Sequence, residues 1–253
     1  MQRPHILIIM TDQQRADCLS CAAHPQLRTP NIDRLANEGM RFAQATTASP
    51  ICMSARASFA SGRYPHNHGI WANRGELPAA DETFFQLLQR AGFYTAQVGK
   101  THFYDHRLGL DMRGREPYLH ARGLEYVRET PGPIAACGTR SYLTDEWMRK
   151  GLFNAFVSDY RARTQSSDGG VWPSPLPVED HLDSYIGREA VEFIDKYHDP
   201  RPMCLWVGFA GPHEPWDAPG RYATMYKPLD TPKPTPIPVG YSSLPEALRA
   251  KRD

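Results

Sequence analysis

Apolar residues run unbroken from Ile6 to Met10 and again from Met203 to Phe209, interrupted in the second run only by Gly208. A continuous rather than alternating run predicts a strand buried on both faces, as in a parallel sheet covered on each side. The first strand, counted from His5 to Met10, is read as fully buried, and so is the second. Between them the spacing turns helical. Thr29 to Gly39 carries a capping threonine, Pro30 in the first turn, Ile32, Leu35 and Ala36 on one face, and a terminating glycine. Met40 to Ala45 is read as the strand that follows. Ser54 to Ser61 reads as a helix behind Pro50. Glu82 to Arg90 reads as another, stopped by Gly92, with a strand from Phe93 to Val98 after it. Asp183 to Tyr197 is amphipathic, with Ile186, Ala190, Phe193 and Ile194 on one side. Strand and helix alternate, which predicts an α/β fold, a mainly parallel sheet with helices on both faces. Residues 104–180 are less periodic and rich in Gly, Pro, Arg and Tyr, and are expected to form an insertion that shapes the site. Prolines crowd the chain from Pro215 to Pro245. A tail of this kind, so soon after a buried strand, predicts that more chain follows and that residues 1–253 form one catalytic domain truncated at its C-terminus.

Composition narrows the function more than the fold. With 253 residues, 41% hydrophobic and 23% charged, the chain is an ordinary soluble globular one. A formal net charge of +1 points to neither nucleic acid nor a membrane surface, so any anionic substrate must be recognised locally. Five cysteines are too few, and odd in number, for a disulfide framework. Cys18 and Cys21 form a C-x-x-C pair without a second pair to complete a zinc site, and read as incidental thiols. No signal-peptide pattern opens the sequence, no run is long enough to span a bilayer, and the expected compartment is the cytoplasm.

Chemistry concentrates at Ser49-Pro-Ile-Cys52-Met-Ser-Ala-Arg56. A helix beginning here places Cys52 at its N-terminus, where free N–H groups and the dipole favour an anion and lower a thiol's pKa. Arg56, four residues on, lies near the same face. Read alone, the pattern describes equally well a partly buried thiol beside a surface arginine. Asp12 ends the first strand, where open α/β sheets bind ligands, and an acid there suits a hard cation, although a turn or cap residue is the commoner reading. Lys100 and His102 follow the 93–98 strand and point the same way if extended. His213 follows the 203–209 strand.

The block from Cys52 to Arg56, continued by Ala-Ser-Phe-Ala-Ser-Gly-Arg-Tyr-Pro-His66, resembles the signature of the sulfatase family within the alkaline phosphatase superfamily. The opening Arg3-Pro-His-Ile-Leu-Ile-Ile-Met-Thr-Asp12-Gln-Gln, the helix from Thr29, Val98-Gly-Lys-Thr-His102 and Gly211-Pro-His-Glu-Pro-Trp-Asp-Ala-Pro219 resemble further blocks of that family in the right order. The resemblance spans residues 3–222. It implies that Cys52 is oxidised to formylglycine by a formylglycine-generating maturation enzyme, and that its hydrate supplies the hydroxyl that attacks sulfur. The resulting diol then expels sulfate by an internal route that a plain serine or cysteine ester lacks. It further implies that Arg56 stabilises the nucleophile, and that Lys100, His102 and His213 bind the sulfate. Together with Arg56 these make a convergence of cations, with His213 able to protonate the leaving oxygen. Asp12, Gln13 and the Cys52-derived group are the implied metal ligands, for Ca²⁺ first and for Mg²⁺ or Mn²⁺ as alternatives. His66 and His68 are expected at the rim or behind the site.

The chain departs from the family at three places. Ser54 stands where Pro or Ala is usual in the motif that the maturation enzyme reads. Gln13 replaces the more frequent second Asp, as in branches resembling choline sulfatases and phosphonate monoester hydrolases. No Asp-His or Asp-Asn pair in the expected context follows His213; Asp217 and Asp230 lack it, and Asp105-His106 lies too early. About half of a metal site is therefore expected, with weak metal binding and slow or absent turnover by the chain alone. The functions in view are sulfate ester hydrolysis, phosphonate monoester or phosphodiester hydrolysis, and a non-catalytic protein that keeps the fold's first half. The substrate is a small-molecule ester, with no nucleic acid or membrane partner.

Overall fold

The computed structural model describes residues 3–167 and 170–233. Its centre is a four-stranded, all-parallel sheet of β1 (Ile6–Met10), β2 (Tyr94–Gly99), β3 (Tyr126–Glu129) and β4 (Met203–Gly208), in the order β1-β4-β2-β3. The longer helices are α1 (Pro30–Glu38), α2 (Cys52–Ser61), α4 (Phe84–Arg90), α7 (Tyr142–Arg149), α8 (Phe153–Thr164) and α9 (Leu182–Asp195); shorter ones are α3 (Pro65–His68), α5 (Glu116–Ala121) and α6 (Pro133–Ala136). Each strand ends at the same edge of the sheet, as parallel strands must, so the residues just past β1, β2, β3 and β4 are brought together.

Two cores flank the sheet. On one face Cys204 and Trp206 of β4 pack with Met53 and Ala57 of α2, Phe85 of α4 and Leu119 of α5. On the other, Leu205 and Val207 of β4 and Ala96 and Val98 of β2 pack with Leu143 and Trp147 of α7 and Ile186 and Ala190 of α9. The period-2 alternation of β4 sends successive side chains to opposite cores, and both are apolar, which is why its sequence reads as an unbroken run. Trp206 is the hub of the first core, with its ring 5.5–5.7 Å from those of Phe59, Phe85 and Phe103. The Arg56 guanidinium lies 5.9 Å from the same ring, so this aromatic hub supports the site directly. Helix α4 starts with a full capping box: Thr83 accepts from the Gln86 amide, and the Gln86 side chain accepts from that of Thr83. That arrangement contributes on the order of 1 kcal/mol.

Four expectations are corrected. Strand β1 is an edge strand and not fully buried: Ile6, Ile8 and Met10 pack on the first core, whereas Leu7 and Ile9 are 50% and 56% exposed. Its run is unbroken because both faces are apolar, yet among the described residues only one face is covered. Residues 40–45 form no strand, with Met40 and Phe42 exposed. Helix α1 forms where the capping signals put it, but Ile32 and Leu35 stay largely exposed. Residues 104–180 are more regular than their sequence suggests. They supply β3, α5, α7 and α8, and Trp147 and Phe156 of the second core. Their spacing is obscured because these elements are short and joined by Gly and Pro turns. Within 215–245, the residues past 233 lie outside the described ones.

Candidate active site

Helix α2 begins at Cys52, directly after Ile51 in extended conformation, so the thiol sits on the first turn. The amide of Met53 donates to Asn73 Oδ1 at 3.1 Å, and Asn73 Nδ2 lies 3.6 Å from Cys52 Sγ. One side chain thus caps the helix start and faces the sulfur. His213, in the loop after β4, lines the same cleft as Cys52 and is the strongest influence lowering its pKa. His213 Nδ1 is engaged with the Glu214 carbonyl at 2.7 Å. Burial pushes the Cys52 thiol up, but His213 and the charge of Lys100 outweigh it, and the pKa falls below its usual 9.0. Cys52 in turn, against burial, raises His213 above its ordinary value. The pair is therefore biased towards thiolate and imidazolium.

Asp12 follows β1, its amide donating to the Gly211 carbonyl at 3.0 Å. That bond ties the loop bearing Asp12 to the loop bearing His213. Asp12 Oδ2 accepts from Lys100 Nζ at 2.7 Å and from Arg56 Nη2 at 3.2 Å, and all three residues are buried. Burial disfavours the Asp12 charge, yet Lys100 and then Arg56 more than compensate, holding the carboxyl below its ordinary value. Arg56 also donates to the Lys100 carbonyl at 2.5 Å and to the Phe209 carbonyl at 3.3 Å. Its direct partners are thus Asp12 and two carbonyls at the sheet edge; its influence on Cys52 is through charge rather than contact.

Gly208 makes this possible. A Cβ there would lie 2.3 Å from the Lys100 carbonyl oxygen and 3.2 Å from Arg56 Nη1. Only glycine lets the ends of β2 and β4 close around the guanidinium.

Cys52 lies on two clefts. One, of about 290 Å³, is lined by Asn73, Lys100, His102, Asp105, His106 and His213, with Leu108 and Ile134 at its apolar margin. The other, of about 550 Å³, is lined by Asp12, Gln13, Thr47, Ser49 and Arg56. All seven residues singled out in the sequence therefore border one or both clefts around the same sulfur. Two details of that reading change. His102 is not extended: its φ is +54°, a left-handed value that is uncommon outside glycine. It reaches the cleft beside Lys100 by this bend rather than by strand alternation. Nor is it a cation, since burial, with help from His106 and Lys100, keeps its pKa well below 6.5. Lys100, His102 and His213 line one cleft with Cys52, and Arg56 lines the other. His68 is structural, its Nε2 2.9 Å from Ser58 Oγ and its Nδ1 accepting from the Ile70 amide. His66 stacks on Tyr64.

Sequence reading missed Asn73 and Asp183. Asp183, in the first turn of α9, accepts from the amides of Ala210 and Gly211, both at 3.0 Å, and so holds the His213 loop. At that position an Asp reads as an ordinary helix-start residue; the donors come from 27 and 28 residues away, which no local signal reveals. Asn73 lies in a loop without periodicity.

For a divalent cation, the donor types are suitable and the number is not. Asp12 and Gln13 offer one carboxylate and one amide, Asp12 is already bound by two cationic side chains, and no group of three His, Cys, Asp or Glu suited to a metal occurs among the described residues. Ca²⁺ takes roughly six to eight oxygens. The described residues do not by themselves make a metal site.

The Sulfatase family model matches residues 4–238. The chain belongs to the sulfatase family. It is 32% identical over 241 residues to an arylsulfatase of Clostridium perfringens, covering 92% of this chain and 48% of the relative. To a choline-sulfatase of Rhizobium meliloti it is 28% identical over 242 residues, covering 94% and 44%. Among solved structures, a phosphonate monoester hydrolase from Silicibacter pomeroyi superposes with a TM-score of 0.72 at 23% identity, covering 93% of this sulfatase chain and 47% of that one. The sulfatase chain thus spans about half the length of these relatives. The alkaline phosphatase-like fold is the one expected.

Proposed function

We propose that this sulfatase chain carries the nucleophile for hydrolysis of small sulfate esters, the nucleophile being derived from Cys52. The observation that carries the reading is Cys52 at the helix start, sharing one cleft with His213 and buried Lys100. Conversion of Cys52 to formylglycine by a maturation enzyme belongs to this reading, and its hydrate supplies the attacking hydroxyl. A divalent cation, Ca²⁺ first, also belongs to it; Asp12 and Gln13 would contribute oxygens, and the remaining donors would lie outside the described residues. Lys100 neutralises a sulfate oxygen, and neutral His102 hydrogen-bonds another. His213, with its Nδ1 fixed by the Glu214 carbonyl, is placed to deliver a proton to the leaving oxygen. A second reading, phosphonate monoester hydrolysis, rests on Gln13, which removes one negative charge beside the reacting group.

The test is side-by-side hydrolysis of an aryl sulfate and an aryl phosphonate ester by the chain co-expressed with a maturation enzyme, with Cys52→Ala as background. The expected kcat/KM favours the sulfate by at least about tenfold. Preference for the phosphonate ester moves the assignment to the second reading. Turnover of neither above the Cys52→Ala background, with Cys52 converted and Ca²⁺ supplied in excess, contradicts both and favours a non-catalytic protein.

A further inference from the structure

His102, three residues past β2 in the lining of the Cys52 cleft, has a left-handed backbone, and something must hold it there. His102 has φ +54° and is buried. Non-glycine residues persist in this region only where their surroundings over-determine them. The surroundings here converge on one carboxylate. Glu129, the last residue of β3, is 3% exposed. Its Oε1 accepts from Thr101 Oγ1 and its Oε2 from Tyr104 OH, both in close hydrogen bonds. His106 Nε2 stands 3.5 Å from Oε1, and the His106 ring packs against that of His102 with centroids 4.7 Å apart. Three residues of one six-residue loop thus face a single buried acid, on both sides of His102. The acid itself is fixed relative to β2, because the Thr130 amide donates to the Gly99 carbonyl at 2.9 Å. Arg115 lies over the Tyr104 ring at 4.7 Å, closing the cluster from outside.

Among these contacts Glu129 meets no Lys or Arg side chain; Arg56 acts on it only through charge at a distance. Burying a carboxylate so is costly unless donors satisfy it, and an apolar residue would fill the space at no such cost. The geometry points to what the acid does.

We propose that Glu129 is a positioning residue of the nucleophile cleft: its carboxylate clamps Thr101 and Tyr104, braces His106, and so aims the His102 ring at the reacting group. The clamp differs from the Asp12–Lys100–Arg56 cluster, which meets the cleft from the β1 side. It rests on the sulfate ester reading for its catalytic consequence, but not for its structural one.

The experiment uses the full chain and two variants, Glu129→Gln, which keeps the shape and removes the acceptor charge, and Thr101→Val, which removes one arm of the clamp isosterically. Three quantities are measured: the His102 ring-proton resonance, affinity for inorganic sulfate, and kcat and KM on an aryl sulfate. Both variants are expected to shift the His102 resonance and to weaken sulfate binding. Glu129→Gln is expected to lower kcat at least about tenfold with KM changed less than about threefold, as befits misplacement of a reacting-site group. Melting transitions near that of the parent separate this from unfolding. Should Glu129→Gln fail to fold, Thr101→Val decides by the same resonance and sulfate affinity. Should the parent chain hydrolyse no ester, that result bears on the hydrolase reading alone, and the two ligand-independent and sulfate measurements still decide the clamp. His102 resonances and sulfate affinity within about twofold of the parent in both folded variants overturn it.

Discussion

At the residue scale the site turns on how a half-buried thiol is made acidic. Cys52 is opposed by burial and favoured by His213 and the charge of Lys100, and the favourable contributions win. Cys137 and Cys204 show the contrary case: with burial dominant, each is pushed up to about 11. Because alkylation needs the thiolate, its rate rises as pH passes through the thiol pKa. The Cys52 peptide is therefore expected to react with iodoacetamide with a midpoint below 9.0, and well below those of Cys137 and Cys204. His213→Gln removes the main opposing contribution, so burial prevails and the Cys52 midpoint moves up. A Cys52 midpoint at or above 9.0 in the unsubstituted chain, or one that His213→Gln leaves unmoved, contradicts this account. The helix start at Cys52 was legible from local signals, whereas the reading of Cys52 as a nucleophile came from the family resemblance and not from spacing. Asn73, Asp183 and Glu129 were not, because each acts on a partner about 20 or more residues away.

At the scale of elements, the sheet places the chemistry. Four parallel strands end together, and their continuations deliver Asp12, Lys100, His102 and His213, with Glu129 at the end of β3. Strands β2 and β4 and helices α2, α4 and α9 were readable, since short apolar runs mark the strands, amphipathic spacing marks α9 and a glycine stop follows α2 and α4. Strand β3 was not: four residues between Gly-rich turns carry too little pattern, and its place in the sheet is set by non-local pairing with β2. The tightest joint is between β2 and β4. Gly99, at φ +93°, and Gly208 meet there, and a Cβ on Gly99 would lie 2.1 Å from the Gly208 carbonyl oxygen. Gly208→Ala is expected to destabilise the fold by at least about 2 kcal/mol, read from denaturant melts, because both the Lys100 carbonyl and Arg56 would have to move. Gly114, whose Cβ would meet nothing within 4 Å, is the control. Gly114→Ala should stay within about 0.5 kcal/mol of the parent. Equal effects of the two substitutions would show that close approach at the sheet edge does not hold the site.

At the scale of the whole molecule, the chain matches the sulfatase family over residues 4–238 and spans about half the length of its relatives. Its described residues gather Lys100, His102, His213 and Asn73 around Cys52 and supply few of the oxygens a divalent cation takes. Calorimetric titration of the chain with Ca²⁺ is accordingly expected to show a Kd no tighter than about 10⁻⁴ M. Micromolar affinity that Asp12→Asn abolishes would mean that the donors present suffice. No helix among the described residues is long and apolar enough to cross a membrane. What the fold, the two clefts and the family share is Cys52. The most direct measurement is peptide mass analysis of Cys52 in chain co-expressed with a maturation enzyme, paired with aryl sulfate turnover on the same preparations. The account predicts the mass loss of thiol-to-aldehyde conversion despite Ser54, with activity rising in proportion to the converted fraction. An unmodified Cys52 thiol in fully active protein would contradict it.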